Sequence, residues 1–184
     1  MKMRLPIISA LVLMFIVSSI QAQIPNFSFE NWTSMGTYSN PTDWGTMNNT
    51  TASTNIFTAT KATPGNPGSS YLKLTSKTVG ASVVTAIAVS GVLDSITKQP
   101  ISGFAFNQRP ASFTGKWQYM YTTTPGLISV KLTRWNSVTH ARETVANASK
   151  TLTGMVMSWD SFNINLTYLN GNYPDTCIDR KSVV

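Results

Sequence analysis

The chain has almost no cysteine or histidine and few charged side chains, and each scarcity removes a class of protein. A single Cys in 184 residues rules out a disulfide framework within the chain. A single His leaves too few soft ligands for a zinc site built from His and Cys. Charged residues make up 11% of the chain against 42% hydrophobic ones, which excludes a disordered charged tail and a long charged helix or coiled coil. Gly-rich phosphate cradles and the Gly-x-Ser-x-Gly nucleophile elbow are absent as well. What is present is a length suited to one domain with a sizeable core, rich in Thr, Ser, Asn, Val, Ile, Tyr and Trp.

Both ends read as additions to the folded unit. Lys2 and Arg4 precede an apolar run over residues 10–17, and the small and polar Ser18, Ser19, Gln21 and Ala22 follow. This order of charged, apolar and small segments predicts a secretory signal peptide over residues 1–22, cleaved between Ala22 and Gln23. Even from Leu5 to Ile20 the run is broken by Pro6 and Ser9 and falls short of the roughly 20 residues of a membrane span. No other segment can cross a bilayer, and no Cys at the cleavage point supports a lipid anchor. The expected location is therefore the medium, the outer cell surface or the periplasm. At the far end, residues 179–184 (Asp-Arg-Lys-Ser-Val-Val) are what a common sequencing-adapter oligonucleotide encodes. Residues 23–178 are thus expected to be a β-sandwich domain short of its native C-terminus, and 179–184 a non-native tail; a genuine basic tail is the alternative. Without Lys2, Arg4, Asp179, Arg180 and Lys181 the net charge of +7 falls to +4, spread along the chain, which is no footprint for nucleic acid.

Between the ends, short alternating runs dominate. Tyr71–Thr75, Ile128–Thr133 and Phe162–Thr167 each place apolar residues on one face and polar ones on the other. Residues 82–92 form a more continuous small-apolar run, which suits a strand covered on both sides. Trp117, Tyr119 and Tyr121 share a face of a further strand, and residues 141–149 read as a strand that could also be a short helix. Turn signals separate the runs, as at Asn40-Pro41, Pro64-Gly65-Asn66-Pro67-Gly68, Pro125-Gly126 and Asn170-Gly171-Asn172. About nine or ten strands at this spacing predict an all-β sandwich in a single domain.

The sharpest local signal is Asn26-Phe27-Ser28-Phe29-Glu30-Asn31-Trp32, followed by Trp44. An Asn-x-x-Phe-Glu opening a mature exported β-domain resembles the first strand of several carbohydrate-binding jelly rolls, in which the Glu helps to hold a structural calcium. That resemblance implies calcium at Glu30, with Asp175 as the partner carboxylate, since calcium takes several oxygen ligands. The plainer reading is that Glu30 caps a turn while Phe27, Phe29 and Trp32 anchor the core.

A second set of motifs spans nearly all of residues 23–178. Gly103-Phe104-Ala105-Phe106, Arg109-Pro110, Gly115-Lys116-Trp117-Gln118-Tyr119, Trp159-Asp160-Ser161-Phe162 and Pro174-Asp175 follow one another in the order of the PCMD family, a carbohydrate-metabolism domain of exported Bacteroidota proteins. The chain is similar to that family except that Trp117 stands where a Tyr is common and the closing strand is lost after Ile178. The resemblance implies a jelly-roll sandwich and a carbohydrate role. Asp94-Ser95-Ile96 matches the short O-glycosylation acceptor of exported proteins of the same phylum.

Three residues are candidates for ligand contact. Trp135 is expected to face outward with Lys131 and Thr133, because Val130 and Leu132 face the core; an outward indole can stack on a sugar ring. Trp44, in a turn-rich stretch, is the second stacking candidate, whereas Trp117 and Tyr119 read as core. Pro110 holds Arg109 extended, so that its planar fork can meet carboxylates or vicinal hydroxyls, or else backbone carbonyls at a strand end. Catalysis finds little support, since glycosidases need two placed carboxylates from a small set, and alternation sends Arg142 and Glu143 to opposite faces. Cys177 reads as a small hydrophobe. The expected function is a secreted or cell-surface carbohydrate-binding or accessory module without catalysis, whose partner is a glycan or polysaccharide. A structural or adhesion sandwich that binds another surface protein is the alternative.

Overall fold

Alternation decides the long strands, and the computed structural model, which describes residues 24–120 and 124–183, places them in two facing layers. The predicted signal peptide and Tyr121 lie outside the described residues. The first half of the chain is cut into short pieces: β1 (Trp32–Ser34), β2 (Ser39–Pro41), β3 (Trp44–Thr46), one helical turn α1 (Asn48–Thr51), β4 (Ala59–Ala62), β5 (Tyr71–Leu74), β6 (Lys77–Val79), β7 (Ser82–Val84), β8 (Ala86–Ser90) and β9 (Phe104–Ala105). The second half carries the long ones: β10 (Ser112–Met120), β11 (Gly126–Asn136), β12 (Ala141–Leu152), β13 (Met155–Asn165), the short β14 (Thr167–Tyr168) and β15 (Thr176–Val183). The count exceeds the nine or ten expected because ladders of two to four residues are too short to show a period.

The large sheet runs β14-β12-β11-β15-β8-β3, with β9 joined to β15. β10 and β13 form a separate antiparallel ladder that packs on it. Between them lies the main core, where Phe113, Trp117 and Phe162 meet Ile128, Val130, Leu132, Val145 and Leu152. The named ladders are antiparallel, and β15 sits between β11 and β8 although it is last in the chain. These features make an all-β antiparallel sandwich, as the alternation predicts, and a jelly-roll-like one, as the family resemblance implies. Residues 141–149 are strand, within β12. The buried run expected over 82–92 narrows to β8, whose five residues are all buried. Met47, Ile87 and Val89, with Ile178 against them, form a second cluster. Residues 82–84 instead pair with β6 in a small hairpin.

One expected exposure is not met. Thr133 is buried at 5% exposure, because Arg142, which lies opposite Trp135 in the β11–β12 ladder, covers it and donates to its hydroxyl at 3.3 Å. Residues 179–183 continue β15, with Val130 opposite Asp179 and Ile87 opposite Ser182.

Candidate ligand cleft

Two strands cannot cover a seven-stranded sheet. Between β5 and β10 the sandwich opens into a cleft of about 940 Å3, within the usual size range of small-ligand sites. Residues 70–77 and 113–120 line it without a break. Neighbouring residues on a strand point to opposite faces, so the cleft borders strand edges rather than one sheet face. β5 pairs with β4 and β10 with β13. Asp179 and Lys181 of β15 also contribute to the lining. Ala88 lies opposite Lys181 in the ladder, so a methyl group stands on that face where a larger side chain would fill space.

Aromatic rings furnish the walls. Tyr71 and Trp159, both half-buried, meet edge to face with centroids 5.2 Å apart. Phe29 and Trp44 pack together with centroids 5.0 Å apart, and Lys181 Nζ lies 4.5 Å from the Trp44 ring. Two buried polar atoms in this lining have no hydrogen-bond partner among the described residues: Trp117 Nε1 and Asp179 Oδ1. Burial pushes the Asp179 carboxyl above its ordinary range, against the opposing pull of Lys181, whose Nζ is 2.5 Å from Oδ2.

The residues singled out in the sequence are not gathered in one place. Trp135 is half exposed at 50%, as expected, but it lies outside this cleft, at the β11–β12 turn. Trp44 does line the cleft, yet it is 4% exposed and its Nε1 donates to the Pro25 carbonyl at 3.0 Å, so it is a wall and no open platform. Arg109 takes the internal option: its guanidinium donates to the carbonyls of Asn170 (3.1 Å) and Asn172 and stacks 4.0 Å from the Tyr168 ring centroid. Both fork positions are thus spent on the 170–172 turn.

Glu30 and Asp175, the expected calcium pair, engage separate partners, and among the described residues no three His, Cys, Asp or Glu side chains are grouped as metal ligands. The Glu30 carboxylate accepts from the Ser70 and Ser69 backbone N–H groups and from both hydroxyls, at 2.7–2.9 Å. The Ser70 N–H is the largest of the influences that hold its pKa at about 2. Asp175 bonds Arg142 at 2.6 Å, the Trp135 backbone N–H at 2.7 Å and the Thr176 hydroxyl at 2.6 Å. Burial alone would raise its pKa, and these three donors bring it to about 2 instead. On the other face of β12, Glu143 pairs with Arg134 at 3.0 Å, so Arg142 and Glu143 do part company as the alternation requires. Cys177 is buried, and burial pushes its thiol up to about 12, consistent with a hydrophobic role.

Tyr71, Trp159, Lys73 and Lys116 were not singled out as site residues. Trp159 lies next to the irregular stretch of the β10–β13 ladder, where the register shifts between Trp117 and Tyr119, so parity with Phe162 does not give its facing. Tyr71 and Lys73 share a face of β5 by alternation. Their meeting with β10 and β13 depends on the path of the chain between residues 75 and 112, which periodicity does not encode.

No family model matches the chain, and no curated protein matches it. Among solved structures, the fold is similar to that of a proposed glycoside hydrolase from Bacteroides thetaiotaomicron, with a TM-score of 0.67 at 12% sequence identity over 85% of this chain. The chain spans 63% of that protein's length. Among the described residues no helix is long and apolar enough to cross a membrane.

Proposed function

We propose that this chain is an exported carbohydrate-binding or accessory module without catalysis of its own, and that the cleft between β5 and β10 is its binding site. One observation carries the reading: the half-buried Tyr71–Trp159 pair stands beside an open cleft in which the Trp117 indole N–H has no partner among the described residues. Aromatic faces stack on the apolar faces of sugar rings, and a buried unpaired donor is costly unless a ligand oxygen meets it. The carbohydrate-related fold neighbour supports the same class, as does the resemblance of the motif order to that of the PCMD family. The absence of catalysis is inferred from the lining, whose one carboxylate, Asp179, is held by Lys181, whereas glycosidic bond cleavage uses two. Export rests on the N-terminal segment.

The test is a glycan array probed with the mature chain from Gln23. Selective binding that Trp159→Ala abolishes supports the reading, and silence from a folded protein overturns it. A second reading, adhesion to another surface protein, is favoured by a different region. Trp135, Val138, Leu169 and Tyr173 are all at least half exposed on segments joined through Asp175, which bonds the Trp135 and Thr133 backbones. Binding lost in Trp135→Ala but kept in Trp159→Ala would move the site there.

A further inference from the structure

The cleft carries an excess of positive charge that its fold does not use. Lys73, Lys77 and Lys116 line it, and Lys181 completes the set; the one carboxylate in the lining, Asp179, is already paired with Lys181. None of the first three lysines is ion-paired among the described residues, and all three are exposed. None belongs to residues 179–184. A cleft with low-dielectric walls focuses the field of charges along its sides, so three uncompensated ammonium groups there concentrate anions. The unpartnered Trp117 Nε1 adds a buried donor, which suits an acceptor oxygen. The aromatic pair supplies the contact for a ring.

We infer that the ligand of the cleft is an acidic polysaccharide, a chain of uronate-bearing sugars whose carboxylates meet Lys73 and Lys116 while a ring packs on Tyr71 and Trp159. This rests on the glycan-binding reading above and adds the ligand's charge. The competing use of such lysines is protective, since lysines on free strand edges discourage edge-to-edge pairing and would then be indifferent to the sugar.

The experiment separates these. The mature chain is titrated by calorimetry with polygalacturonate, alginate and hyaluronan, each beside its carboxyl-reduced form, at about 20 mM and about 300 mM NaCl, where screening differs severalfold in range. At least one acidic polymer is expected to bind about tenfold more tightly than its reduced form, with the preference shrinking at high salt. The exposed double variant Lys73→Gln, Lys116→Gln is expected to lose that preference, about tenfold, with an unchanged melting temperature, and Trp159→Ala to lose both acidic and neutral binding. Equal affinity for acidic and reduced forms, or binding only to neutral glycans on the array, with dependence on Trp159 in either case, overturns the acidic preference and leaves the glycan reading standing. Binding to no acidic, reduced or arrayed glycan overturns both.

Discussion

Tyr71 and Trp159 meet with their rings at 88° and their centroids 5.2 Å apart, although β5 and β13 share no ladder. The contact joins the β4–β5 hairpin to the β10–β13 layer across the cleft, so the pair serves as a brace, and it is the ring platform of the proposed site. Replacing Trp159 by Ala is expected to weaken glycan binding by about tenfold or more, in line with one lost aromatic contact. Trp135→Ala, on the exposed turn of β11 and β12, is expected to leave that affinity unchanged. Calorimetry on both variants checks this, and the reverse pattern would relocate the site.

Glu30 acts as a clasp between the N-terminal segment and the Ser69–Ser70 backbone. Its pKa falls from 4.5 to about 2, so its contribution to stability is fully present above about pH 4.5 and is lost as the pH falls toward 2. Wild type is therefore expected to melt higher than Glu30→Gln at neutral pH, and the two to converge near pH 2. A gap that persists unchanged at pH 2 would show that the charged form is not what matters. Gly68 admits the clasp, because at φ +87° a Cβ there would lie 2.2 Å from Glu30 Oε1.

Arg109 holds the 170–172 turn to the start of β10. Lys cannot reproduce a planar fork that serves two carbonyls while stacking on Tyr168. Arg109→Lys is expected to lower stability by about 1–2 kcal/mol in urea unfolding and to leave glycan affinity intact. A variant that unfolds like wild type but binds less tightly would restore the ligand role expected from the sequence.

Asp179 faces the interior at 1% exposure with one oxygen unpartnered, and the neighbouring Arg180 Nε is also buried without a partner among the described residues. Because burial raises the Asp179 pKa, its contribution to stability falls as the pH rises above the ordinary carboxylate range. Replacing the pair together, Asp179→Leu with Lys181→Met, is expected to be neutral or stabilising by about 1–4 kcal/mol, whereas Asp179→Ala alone is destabilising because Lys181 loses its partner. Both orphaned atoms lie in residues 179–184, the segment expected from its six residues to be a non-native tail. Reading the gene from its source past codon 178 is expected to return an apolar residue at 179. An in-frame Asp-Arg-Lys-Ser-Val-Val followed by a stop would refute that origin.

Much of the architecture was legible because alternation is a local property. Ile128, Val130 and Leu132 are buried at 5%, 5% and 1% on the face their spacing predicts, and Trp135 is exposed on the other. Thr133 is covered rather than exposed because Arg142 of the partner strand lies over it, a tertiary contact that alternation does not record. The site was less legible. Arg109 had two chemically sound uses in the sequence, and which one applies depended on whether the 170–172 turn comes within reach. Glu30 and Asp175 matched as a calcium pair by motif alone, but their donors come from Ser69, Ser70, Arg142 and Thr176, and only the fold decides those neighbours.

The sequence by itself determined the class of structure: short alternating strands, turn chemistry between them, and a single Cys and a single His, too few soft ligands for a zinc site of that kind. These are consequences of composition and period, and they hold wherever the strands end up. Tertiary structure decided which strand edges remain unpaired, and therefore that β5 and β10 border a cleft lined by Tyr71, Trp159 and three lysines. Those residues are up to 88 positions apart in the chain, and their place in one lining follows from long-range sheet pairing, which no local pattern records.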